Sequence, residues 1–109
     1  MSISVIIDNP KTDDERLFII PVSSEAFFKK VWSKIALDLN LKWIPLFQTG
    51  VKIERCDLDQ LFNELDLITA FVKENLKNSN GDHLLVRIAL MEKEIQGLFD
   101  RKNTVIYIG

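Results

Sequence analysis

Ile3, Val5 and Ile7 alternate with Ser2, Ser4 and Ile6, a period-two pattern rich in β-branched residues that predicts a strand. The polar run from Asn9 to Glu15 reads as a solvated loop. Leu17 to Ile20 is a second short apolar run, stopped by Pro21, and the two runs are expected to pair as an antiparallel hairpin across the long loop. The period then changes. Phe27, Phe28, Val31, Trp32, Ile35, Ala36 and Leu39 recur at helical spacing, with Lys29, Lys30, Ser33 and Lys34 on the other side. The spacing predicts an amphipathic helix over residues 24–39, with Ser23 or Ser24 as its N-cap.

Residues 42–54 predict a second hairpin. Gln48-Thr49-Gly50 supplies a three-residue loop in which Gly50 takes a positive φ. Pro45 cannot donate to a ladder, so residues 43–47 are expected on an edge or at a bulge. Asp57 opens a second helix, and Asp57 with Gln60 has the spacing of a capping box. Leu58, Leu61, Phe62, Leu65, Ile68 and Val72 form its main stripe, and residues 78–81 break it. A third helix is expected from Asp82 to Asp100, then a turn at residues 101–103 and a terminal strand over residues 104–108. The order is ββ-α-ββ-αα-β. It predicts a single α+β domain over residues 1–109: a two-layer sandwich of about five mostly antiparallel strands, with three helices over one face.

Each of the last two helices carries a second apolar pair off its main stripe, Leu67 with Phe71 and Val86 with Leu90. The simplest arrangement has the two helices touching through these pairs as an αα-hairpin on the sheet. The alternative leaves one pair exposed to mate with another chain.

Composition turns attention from reactive centres to surfaces. The 109 residues hold one Cys, Cys56, and one His, His83. A thiol–imidazole pair needs both within hydrogen-bond reach. An antiparallel helix pair would instead put these two helix starts at opposite ends. No spacing of His, Cys and carboxylates suits a zinc or calcium site, so no metal, cofactor or catalytic residue is expected. The single cysteine and the absence of a basic leader or long apolar run predict a reducing, cytoplasmic location and no membrane association.

Acids outnumber bases 16 to 14, for a net charge of −2, which argues against general nucleic-acid affinity. Trp32, Trp43 and Phe47 sit among lysines, but their positions read as core. Residues 53–66 hold Glu54, Asp57, Asp59, Glu64 and Asp66 against Arg55 alone, a local −4. Acids near a helix start complement its dipole, which accounts for Asp57 and Asp59 but not for Glu64 or Asp66.

The stretch from Leu41 to Gly50, the acid-capped helix from Asp57 to Leu67 and the closing Val105-Ile106-Tyr107-Ile108-Gly109 resemble small bacterial single-domain immunity-type proteins, which are encoded beside secreted toxins and block them by binding. The resemblance implies a stoichiometric inhibitor whose acidic helix face covers a basic toxin domain. The expected function is therefore a non-enzymatic protein-interaction module. Glu54, Asp57, Asp59, Asn63, Glu64 and Asp66 would steer the partner, and Leu67 and Phe71 would serve as apolar anchors if exposed. Two other readings remain. One is a ligand-binding or enzymatic domain with a pocket between the hairpin bearing Trp43 and the helices. The other is a homo-oligomer, a homodimer at its simplest, joined through an edge strand or the Val86–Leu90 pair.

Overall fold

The computed structural model describes residues 2–101 and 104–109. Strand β1 (Ser2–Ile7) leads to a short helix α1 (Asp13–Leu17), strand β2 (Ile19–Ser24) and helix α2 (residues 25–38). A 3-10 turn (Ile44–Gln48), strand β3 (Val51–Ile53) and a second 3-10 turn (Arg55–Asp57) follow. Helices α3 (Leu58–Asn75) and α4 (Ser79–Arg101) and strand β4 (Ile106–Ile108) complete the chain. The α+β, two-layer expectation holds. The described residues form one four-stranded sheet, fully antiparallel, in the order β2-β1-β4-β3.

The alternation read from β1 sets the layers. Ile3, Val5 and Ile7 are buried with Ile20, Val22, Ile53, Ile106 and Ile108, and this face of the sheet receives the helices. On β2, Val22 and Ser23 are both buried because the register slips between Ile3 and Ser4: Ile3 faces Ser23, but Ser4 faces Pro21. Such a bulge lets two consecutive residues face inward. Pro21 is tolerated because β2 is an edge strand.

Six expectations are corrected. The 9–15 loop contains α1, because Thr12 caps it: Thr12 Oγ1 accepts from Glu15 N at 3.1 Å, and the Glu15 carboxylate reaches back to accept from Lys11 N at 2.8 Å. Residues 42–54 do not form a hairpin. Pro45 falls in the first turn of a 3-10 helix, where a missing N–H costs nothing, and Ile44 and Phe47 are buried three positions apart. Only Val51–Ile53 is a strand, paired with β4, so the sheet has four strands rather than five. The capping box at the second long helix joins Glu54 and Asp57, not Asp57 and Gln60. Helix α4 starts at Ser79, three residues early, because Asn78 Oδ1 accepts from Gly81 N at 3.0 Å and so replaces the expected break with a cap. With α1, the helices number four rather than three. The turn expected at Lys102 and Asn103 lies outside the described residues.

Helix α2 forms as the spacing predicts, with Ser24 Oγ accepting from Phe27 N at 3.1 Å. Its middle, Phe28–Trp32, is a π turn that stacks the Phe28 and Trp32 rings at 5.8 Å. Gly50 has φ of 103°, as its turn position requires, and the Tyr107 ring lies over it and over Gly109. Among the described residues, no helix is long and apolar enough to cross a membrane.

Candidate functional site

Helix α3 advances about 100° per residue, which separates the acids of residues 53–66 into three groups with different environments. Glu54 and Asp57 bracket the 3-10 turn and cap each other. Asp57 Oδ2 accepts from Glu54 N at 3.0 Å, and the Glu54 carboxylate accepts from Asp57 N. Cys56 lies between them, and ligand atoms of Glu54, Cys56 and Asp57 fall within 4.8 Å of one another. The reciprocal capping accounts for this meeting. Asp57's charge, above all, raises the exposed Cys56 thiol above its usual pKa, so it stays a thiol and a weak nucleophile. His83 packs edge-on against Phe27 at 5.2 Å, at the other end of the α3–α4 hairpin. The thiol and the imidazole do not form a pair.

Asp59, Asn63 and Asp66 form the second group. All three are exposed, on the outward side of α3, and Leu67 lies beside them, 43% exposed. Asp66 also faces Glu92 of α4 across a groove lined by Thr69, Lys73, Leu85, Ile88 and Ala89. Glu92 is pushed up to about 7, first by partial burial and then by the hydrogen bond and negative charge of Asp66. Glu92 therefore keeps its proton across the weakly acidic range.

Glu64 is the third case. Its side chain turns inward, 8% exposed. Oε2 accepts from Lys42 N at 2.9 Å, and Oε1 accepts from Trp43 N at 2.9 Å and Ile44 N at 3.1 Å. Three amides leading into the 3-10 helix thus converge on one carboxylate from another element, and Glu64 is not available as a docking charge. The signal was present in the sequence: Glu64 lies between Leu61, Leu65 and Ile68 on the edge of the buried stripe. A charge in that position points to a buried partner.

Phe71, one turn beyond Leu67, is half-buried against the core. It lines a groove of about 370 Å³ with Val31 and Ile35 of α2, rimmed by Lys30 and Lys34. Leu67 and Val86 are both exposed, so the paired-stripe contact between the two helices does not form. Helix α3 instead meets α4 through the side bearing Asp66, Thr69, Leu85 and Ile88. Trp43 Nε1 donates to Gln60 Oε1 at 3.0 Å, and the segment expected to frame a pocket is a turn packed on α3. The exposed surface is therefore Glu54, Asp59, Asn63, Asp66 and Leu67, bordered by half-buried Asp57 and Glu92. Comparison of the chain with protein-family models, curated proteins and solved structures finds no match.

Proposed function

We propose that the protein is a non-enzymatic interaction module that docks a basic protein partner on the outer face of α3. The immunity-type resemblance suggests a toxin domain as that partner. One observation carries the reading: Asp66 and Glu92 are held close enough that Glu92 keeps its proton to about pH 7. No ion pair within 4.0 Å among the described residues engages either carboxyl group, and a Lys or Arg from a partner would add positive charge beside that of Lys73 on the groove wall. Asp59 and Asn63 continue the polar face along the helix, and Leu67 adds an apolar contact at its margin.

The test is association kinetics with the product of an adjacent reading frame. Rates should fall about 10-fold or more between low and high salt, because steering across an exposed acidic face is screened. Asp59→Lys and Asp66→Lys should slow association, and Leu67→Ala should chiefly speed dissociation. Binding near pH 6.5 should release protons, because a cation beside Asp66 favours ionised Glu92. A complex that forms at the same rate at both salt concentrations, with no proton release, would refute the acidic-face reading.

A further inference from the structure

We propose that the groove between α2 and the turn joining α3 to α4 binds a free, straight-chain monocarboxylate. It shares no lining residue with the acidic groove between α3 and α4, so it stands apart from the docking face.

The floor of the groove is apolar. Val31 and Ile35 lie one turn apart on α2 and are buried. Phe71, near the end of α3, and Leu76, its C-cap, line the same groove but are only half-buried. Side chains from α2, α3 and the start of α4 thus meet around the groove without filling it, and about 370 Å³ stays open. Close-packed helices leave few gaps of this size, and a concave apolar floor with a few polar groups at its edge is the usual form of a ligand site.

The rim supplies the charge that selects the occupant. Lys30 and Lys34 are exposed, four residues apart on α2, and no ion pair within 4.0 Å among the described residues engages either. Lys29 beside them is already paired with Glu25 at 3.9 Å. Asp38 is the one acid among the described lining residues, and the opposite lip is neutral, formed by Asn75 and Asn80. Two lysines against one acid match a single negative charge. From Lys30 to Asp38 the groove edge runs roughly 12 Å along α2, positive at one end and negative at the other. A carboxylate is drawn to the lysine end and repelled by Asp38, so the gradient fixes the direction of an elongated molecule, with its tail over the apolar floor. Size separates this occupant from a docked peptide helix. The opening is at the small end of ligand sites, about 300 to 1,000 Å³. It fits one hydrocarbon chain rather than the row of anchor side chains that a helix inserts.

Titration of the isotope-labelled chain with decanoate, read by backbone amide shifts, tests the site. Saturable shifts should appear in residues 30–38 and 71–80 and leave Asp59, Asn63 and Asp66 unmoved. Octanoate buries two fewer methylenes and should bind about 5- to 15-fold more weakly. Decanol lacks the charge and should bind about 10-fold more weakly than decanoate. Lys30→Glu with Lys34→Glu should weaken decanoate binding about 10-fold while leaving the thermal midpoint unchanged, because both side chains are exposed. Phosphatidylglycerol vesicles should not retain the chain. The absence of saturable shifts up to the solubility of decanoate overturns the proposal, as do shifts centred elsewhere. Decanol that binds as well as decanoate, or a double lysine variant that binds as wild type does, overturns it equally. Vesicle retention that both lysine changes abolish would make the groove a membrane contact and overturn it too.

Discussion

Replacing Glu64 tests the account of the fold most directly. Its carboxylate holds the amides of Lys42, Trp43 and Ile44 across more than twenty residues of chain, at 2.9 to 3.1 Å. In Glu64→Ala, the Lys42 amide turns to water, because Lys42 is exposed, but the Trp43 and Ile44 amides stay partly or wholly buried. Losing two charge-assisted bonds at roughly 1.5 kcal/mol each gives a destabilisation of about 3 kcal/mol. Glu64→Gln keeps one acceptor oxygen and turns an NH2 toward an amide N–H, so it should lose about half as much. Urea unfolding followed by tryptophan fluorescence reads both, with Glu64→Ala lowering the midpoint by about 1.5 M for a slope near 2 kcal/mol per M. Hydrogen exchange at residues 42–44 should speed up more than in β1. Asp59→Ala, on the open face, is the control and should stay within about 0.5 kcal/mol of wild type. A Glu64→Gln protein as stable as the control would show that the carboxylate does not hold the 3-10 helix, and the reasoning would fail.

Two further perturbations probe other contacts. Glu92 binds its proton more tightly in the fold, with a pKa raised from 4.5 to about 7. The folded state therefore carries the extra proton between those values, and stability falls as pH rises through that window and levels above about 7. Because the group is largely solvated, the effect is discounted to about 1 kcal/mol; Glu92→Gln should be more stable than wild type by about this amount at pH 8, with a flatter melting profile from pH 5 to 7. A parallel pH dependence in the variant would assign the effect to another group. Gly81→Ala should destabilise by about 2 kcal/mol although it lies in a helix, because a Cβ there would overlap the Leu76 carbonyl oxygen; a gain in thermal midpoint, as helix propensity alone would give, would contradict the close approach.

The periodicity of the sequence determined much by itself. Strand β1, the core faces of α2, α3 and α4, the Ser24 cap and the antiparallel β1–β2 pairing all follow from local pattern, because a residue's neighbours along the chain set which face it presents. Thr12 and Glu15 carried the signal for α1 in the same way. Tertiary structure decided the rest. Residues 43–48 read equally as a strand or a turn; they became a 3-10 helix because Glu64, far along the chain, supplies the acceptor for their amides. The placing of the last strand between β1 and β3 depends on which edges remain free after the helices pack, and no local pattern encodes that. The acidic segment shows the same division. Its charge was legible in order along the chain, but whether each carboxylate caps a turn, meets Glu92 or faces solvent depended on what folded against it.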